Sequence, residues 1–145
     1  KPIFFTQKRS GLHGRAFYLY KFRSMKNIFD LNGGILPDED RLFFFGRLLR
    51  KTSLDELPSL INIIKGDMNF IGPRPLLLEY NDMYSNFQKK RISIKPGITG
   101  WAQVNGRNSI SWEEKFNLDI WYIENKTLIL DIKIIFLTFY KVISS

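Results

Sequence analysis

The sequence contains no cysteine. Disulfides, thiolate zinc sites, iron–sulfur clusters and thiol nucleophiles are therefore excluded. Histidine is nearly absent: His13 stands alone. That rules out a multi-histidine metal centre and leaves one residue through which a Ser-His-Asp triad would have to run. No stretch reaches the ~18 uninterrupted apolar residues of a membrane span. Neither GxxxxGK[ST] nor GxGxxG occurs, so P-loop and dinucleotide-type phosphate binding have no support. Acidic residues are scarce, 14 Asp+Glu against 22 Lys+Arg, for a formal net charge of +8.

What is present suits a folded chain. Its 145 residues are 44% apolar and 15% aromatic, enough for one sizeable core and too much for a disordered tail. The cation excess sits in front: residues 1–51 hold 11 Lys/Arg against 4 Asp/Glu, and residues 52–145 hold 11 against 10. Such a front half suits an anionic partner, whether nucleic acid, phosphorylated substrate or acidic membrane surface; a solubilising surface is the bland alternative.

The patterns predict two β-rich runs, Ile3 to Lys8 and Arg15 to Ser24, joined as a hairpin across Gly11 and Gly14. A helix is expected over Asp38 to Arg50, acidic at its start and basic at its end. Ser53-Leu-Asp-Glu56 matches a capping box before the apolar run Leu57 to Ile64. Pro58 conflicts with a regular helix there, but Asp55 and Glu56 lie at a helix N-terminus either way. A rigid loop, Gly72-Pro-Arg-Pro75, precedes an expected helix from Leu77 to Arg91. Ser111-Trp-Glu-Glu114 is a second capping box and opens a helix to about Ile123. Leu128 to Ile143 reads as an amphipathic helix with a stripe of Ile132, Ile135, Phe136, Phe139 and Val142. That stripe either docks on the chain's own core, the default, or lies in a membrane interface.

Several residues carry chemical potential, each beside a plainer reading. Asp55 and Glu56 are adjacent carboxylates that cannot face one point in the same way. They suit different tasks, such as a nucleophile and a metal ligand or base, but ordinary capping and first-turn acidity are the default reading of such a box. The helix dipole is expected to keep Asp55 ionised. In Gly72-Pro-Arg74-Pro75 two prolines flank a guanidinium, fixing either a phosphate-reading fork or a connector. Lys21 and Arg23 share one strand face, exposed to solvent or to an anion. Arg107, after Gly106, could reach a phosphate or sit in a turn. Asp119 and Tyr122 share a helical face, where salt bridging and core packing are the default. His13 reads as a surface residue, and Trp101, Trp112 and Trp121 as core aromatics.

These pieces, in this order, resemble the bacterial sugar transferase family, the monotopic phosphoglycosyl transferases. The matching stretches are Phe4-Phe-Thr-Gln-Lys-Arg9, Tyr20-Lys-Phe-Arg-Ser-Met25, Arg50, Ser53-Leu-Asp-Glu-Leu-Pro58, Asn62 to Asp67, Phe70-Ile-Gly-Pro-Arg-Pro75, Lys95 to Arg107, and Leu118-Asp119 with Tyr122. They span nearly the whole chain. The compact length and Arg107-Asn-Ser-Ile-Ser-Trp112 look most like small members of protein-glycosylation pathways, one of which transfers phospho-diacetylbacillosamine to undecaprenyl phosphate. Ser24 stands where the family often has Thr, a difference without mechanistic weight.

The resemblance implies transfer of a sugar 1-phosphate from a UDP-sugar to a polyprenyl phosphate, releasing UMP, at the cytoplasmic face of the bacterial inner membrane. Asp55 would be the nucleophile of an aspartyl-phosphosugar route, and Glu56 its partner with Mg²⁺ on the dyad. Lys21, Arg50, Arg74 and Arg107 would bind substrate phosphate, and Asp119 would lie near the active site. A re-entrant membrane helix ahead of the first strand is expected from the family and is missing from these 145 residues. The expected fold class is α/β (α+β), a small β-hairpin packed with amphipathic, partly membrane-interfacial helices, with residues 1–145 as one catalytic domain. The rival functions are a basic nucleic-acid-binding module and a non-catalytic membrane scaffold. Against the first, the second half is nearly neutral and no nucleic-acid motif is present. Against the second stands the intact Asp55-Glu56 pair.

Overall fold

The computed structural model describes residues 2–106 and 109–144. Strands β1 (Phe4–Ser10) and β2 (Ala16–Phe22) form the antiparallel hairpin, with Phe5 opposite Lys21 and Arg9 opposite Phe17. Period-two alternation puts Phe5, Gln7, Arg9, Leu19 and Lys21 on one face. The connecting turn holds His13 exposed, in the left-handed region at φ 54°.

Next come α1 (Asp38–Arg41) and α2 (Phe44–Lys51), then a 3-10 segment, Leu54–Ser59, running into α3 (Leu60–Ile64). Strands β3 (Asn69–Ile71) and β4 (Gly97–Thr99) pair in parallel. A parallel pair needs a long crossover, and here it carries Arg74 and two 3-10 segments, Leu78–Met83 and Gln88–Ile92. Helices α4 (Trp101–Asn105), α5 (Trp112–Glu124) and α6 (Leu128–Ile143) close the chain.

The β3–β4 ladder lies between two apolar clusters. Ile71 joins Val104, Tyr122 and Ile134 on the helical side, while Ile98 packs against Phe17, Leu19 and Met68 on the hairpin side. Tyr122 donates to Asp131 at 2.6 Å, tying α5 to α6; burial, then that hydrogen bond, pushes its phenol pKa up.

The hairpin, α5 with its capping box, and α6 form where their local patterns place them. Four expectations are corrected. The Asp38 to Arg50 helix is broken at Leu42 and Phe43, where extended backbone lets Leu42 bridge Met25. Ser53 is no cap: it adopts φ 56° and its side chain makes no capping bond, because Glu56 is drawn to distant cations instead. The Leu77 to Arg91 helix is two 3-10 segments separated by extended backbone at Tyr84, whose ring is buried.

The fourth correction concerns α6. Its core face is Leu130, Ile134 and Leu137, and Thr138 hydrogen-bonds Thr99 at 2.7 Å. The predicted stripe is turned outward, with Phe136 71% and Phe139 63% exposed, so it does not dock on the chain's own core. Trp112 and Trp121 are likewise half-exposed rather than core residues, while Trp101 packs against the helical cluster. Among the described residues no helix is long and apolar enough to cross a membrane.

Gly46 shows tertiary packing overriding propensity. Ala normally gains about 1 kcal/mol over Gly inside a helix. A Cβ at Gly46, however, would overlap the Ser24 carbonyl oxygen, and overpacking costs roughly 1–3 kcal/mol. Gly46→Ala is therefore expected to lower the thermal unfolding midpoint. An unchanged or higher midpoint by circular dichroism would contradict this close approach.

Candidate active site

The site begins with two short polar side chains that dock the hairpin. Asn62 is fully buried. Its Oδ1 accepts from the Tyr20 amide at 3.1 Å and its Nδ2 donates to the Tyr18 carbonyl at 2.7 Å. Ser59 donates to the Tyr20 carbonyl at 2.9 Å. These bonds satisfy the outer edge of β2 as another strand would. They bring Lys21 against the 3-10 segment that carries Asp55 and Glu56.

Ser53 turns the chain from α2 into that segment. A non-glycine residue with positive φ is strained, at a cost on the order of 1 kcal/mol. The turn throws Asp55 and Glu56 to different sides, since successive 3-10 residues lie about 120° apart. Asp55 faces a cleft of about 240 Å³. Glu56 faces a recess of about 20 Å³, room for roughly one water.

Glu56 is the hub of the charges. Its Oε1 accepts from Lys21 Nζ at 2.7 Å and from Arg74 Nη2 at 2.9 Å. Burial opposes ionisation of Glu56, but the Arg74 charge, then Lys21, outweighs it and holds the carboxyl at about 2. Burial lowers the Lys21 pKa, with Glu56 opposing.

Asp55 differs. Its residue is 9% exposed, and among the described residues its carboxylate takes no hydrogen bond and no ion pair. Burial raises its pKa, and the Glu56 charge adds to the rise, while Lys21, Arg50 and Arg74 pull it back. The expected helix-dipole stabilisation is not realised, because the segment is a short 3-10 turn rather than an α-helix N-terminus, and burial outweighs the cations so that the net shift is upward.

Among the described residues six cations line the cleft with Asp55: Arg9, Lys21, Arg23, Arg41, Arg50 and Arg74. Arg50 donates to Ser24 Oγ and Met25 Sδ, both at 3.1 Å. Thus Lys21, Arg50 and Arg74 are brought together around Asp55 and Glu56. Arg107 lies outside the described residues. Asp119 lines neither the cleft nor the recess; it forms a buried ion pair with Arg91 at 2.9 Å.

The local patterns did not single out Arg9 and Arg91. Arg9 Nη2 donates to Gln7 at 2.7 Å, while its Nε is buried without a partner among the described residues. Its pKa is lowered by burial and then by the Arg74 charge, two like charges crowding one cavity. Strand alternation carries the signal for Arg9, which falls on the same face as Lys21. Arg91 follows Lys89 and Lys90 and looks like the end of a solvated basic run.

Among the described residues no three His, Cys, Asp or Glu side chains cluster as a metal site. Both Asp55 oxygens and Glu56 Oε2 nonetheless remain as acceptors. Mg²⁺ commonly uses one or two carboxylates together with substrate phosphates and water. The donor set fits a Mg²⁺ ion that arrives with a phosphate ligand, since the surrounding cations disfavour a bare dication.

The family model for bacterial sugar transferases matches residues 1–145. The chain belongs to the bacterial sugar transferase family. It is 57% identical to the uncharacterized sugar transferase EpsL of Bacillus subtilis, over 99% of this chain and 71% of the relative. It is 42% identical to the UDP-glucose:undecaprenyl-phosphate glucose-1-phosphate transferase of Xanthomonas campestris pv. campestris, over 98% of this chain and 32% of the relative. It is 39% identical to the undecaprenyl-phosphate galactose phosphotransferase of Salmonella typhimurium, over 94% of this chain and 32% of the relative. The chain thus spans most of the first relative and about a third of the other two. Among the described residues, Asp55 is the acidic member of a cleft whose other charged walls are cationic, and Glu56 lines the adjoining recess.

Proposed function

We propose that this family member transfers a sugar 1-phosphate from a UDP-sugar to undecaprenyl phosphate or a similar polyprenyl phosphate, releasing UMP. This would be the first membrane step of glycoconjugate synthesis, for a protein glycan or a polysaccharide. The observation that carries the reading is Asp55: a buried carboxylate, unpaired among the described residues, facing a cleft that six described cations wall. Two of the relatives are named for undecaprenyl-phosphate sugar transfer, which supports the same substrate classes here. The cations converge inside a cleft rather than spreading along a face, which favours a small phosphorylated substrate over a nucleic-acid strand.

In this mechanism an Asp55 carboxylate oxygen attacks the sugar-proximal phosphorus. The new O–P bond forms as the bond to the UMP oxygen breaks, and UMP leaves with that electron pair. A polyprenyl phosphate oxygen then attacks the same phosphorus and restores the Asp55 carboxylate. Splitting the transfer this way lets one cleft serve two anionic substrates in turn.

The difficulty is charge. Two unit charges 4 Å apart repel by about 4 kcal/mol at an effective dielectric of 20, and the diphosphate carries two. A helix dipole supplies at most ~2 kcal/mol, so positioned cations must do most of the work. Arg74 and Lys21 offset the incoming phosphates, Arg50 lies beside the nucleophile, and Glu56 holds Arg74 and Lys21 in place. Free oxygens of Asp55 and Glu56 would hold Mg²⁺, whose chemistry when bound is to neutralise phosphate charge and orient the leaving group.

A polyprenyl acceptor is a membrane lipid, so the proposal sets the reaction at a membrane; we propose the cytoplasmic side of the bacterial inner membrane. Helix α2 supports membrane contact by exposing Phe44, Phe45 and Leu48 beside Arg50 of the cleft. The outward stripe of α6 offers a second apolar face.

The test is a screen of UDP-sugars for UMP release that depends on polyprenyl phosphate. Activity requires ionised Asp55, whose pKa is raised, so the acid limb of kcat/KM should lie above the ordinary aspartate range. The Lys21 pKa is lowered, so the alkaline limb should begin below the ordinary lysine range. UMP release from no UDP-sugar, or an acid limb at the ordinary aspartate value, would count against the assignment.

A further inference from the structure

Arg91 and Asp119 are 5% and 4% exposed, and neither lines the cleft. Among the described residues the Arg91 guanidinium makes four hydrogen bonds. Its Nε and Nη2 donate to Asp119 Oδ2 at 3.3 and 2.9 Å. Its Nη1 donates to the Tyr84 hydroxyl at 2.9 Å, and its Nη2 also donates to the Arg74 carbonyl at 2.9 Å. A buried ion pair seldom stabilises a fold more than apolar packing of the same volume. Its connection to Arg74 offers a use beyond stability.

The backbone around Arg74 is held at each step. Prolines on both sides restrict it. The Pro73 carbonyl accepts from the Gly97 amide at 3.0 Å, and Arg9 Nη1 approaches the Pro75 carbonyl at 3.4 Å. The Arg74 carbonyl between them is taken by Arg91. Meanwhile the Arg74 guanidinium is half-exposed and reaches Glu56 through one hydrogen bond, so its location depends on where its backbone stands.

We propose that Arg91, oriented by Asp119 and Tyr84, is a positioning residue that sets the place of the Arg74 guanidinium in the cleft. Asp119 thus acts on the site through two intermediaries rather than by touching substrate. The catalytic consequence rests on the diphosphate reading above. A misplacement of about 1 Å in such a group can cost roughly 10²-fold in rate.

The experiment uses the whole chain and two readouts. The first is a double-mutant cycle in UMP-release kcat/KM. Asp119→Asn and the milder Tyr84→Phe should each lower it on the order of tenfold, and neither should lower it further in an Arg74→Lys background. Effects that multiply would overturn the proposal. The second readout is the guanidinium Nε–H NMR signal of Arg74, identified by its loss in Arg74→Lys. It should shift in Tyr84→Phe while that of Arg50 stays in place. An unmoved Arg74 signal overturns the strut, even if Asp119→Asn fails to fold. If the wild-type chain releases no UMP, the diphosphate reading falls and the Arg74 signal alone decides the strut.

Discussion

Asp55→Asn should abolish UMP release, with a loss on the order of 10⁴–10⁶-fold as for other removed nucleophiles, while leaving the protein at least as stable. Both halves follow from the environment of this carboxylate. The amide has the same shape, so the cleft keeps its walls, but it offers no anionic oxygen to attack phosphorus. Burial already disfavours the Asp55 charge, and no hydrogen bond or ion pair among the described residues is lost when that charge is removed. A neutral group there relieves desolvation. A reactive group held at some cost to stability is the trade expected of an active site. Incubation of the wild type with labelled UDP-sugar should leave sugar phosphate on the Asp55 peptide, and the variant should leave none. Normal turnover by Asp55→Asn would remove Asp55 as the nucleophile.

Arg74→Ala should lower kcat/KM on the order of 10³-fold, since one well-placed arginine is worth roughly 10³–10⁵ in other phosphoryl transfers. Arg74→Lys should recover little of this. A guanidinium can bond Glu56 through one nitrogen and present others to a phosphate, whereas an ammonium is a point charge on a flexible stem. Arg74 is also the largest opponent of burial at Glu56, so the Glu56 pKa should climb from about 2 in Arg74→Ala. Wild-type kcat/KM in Arg74→Lys would show that charge alone matters and that the two flanking prolines have no catalytic purpose.

Local patterns predicted some elements well because local physics decides them. The hairpin follows from alternation, and α5 follows from a capping box whose reciprocal bonds both form. Ser53 and Glu56 have the same spacing and behave differently. Glu56 has two cations within 3 Å, and two charge-assisted bonds outweigh one neutral cap. Arg91 ends the basic run Lys89-Lys90-Arg91 and nothing local marks it for burial, which depends on Asp119, 28 residues away. For α6, the heptad-like stripe was legible but its direction was not. Both faces are apolar enough to pack, and Thr138 meeting Thr99 selects the one that does.

The order of residues alone determined which chemical groups this protein owns: two adjacent carboxylates, an arginine between prolines, a basic first half and no thiol. It also determined the family, because many short motifs recur in one order. Only the tertiary structure decided which carboxylate is paired with cations and which, among the described residues, stands without a partner. That choice hangs on Asn62 docking β2 and on Ser53 turning the chain, so that Lys21 meets Glu56 across 35 positions. Electrostatic energy depends on distance in space, and local periodicity carries no information about that distance.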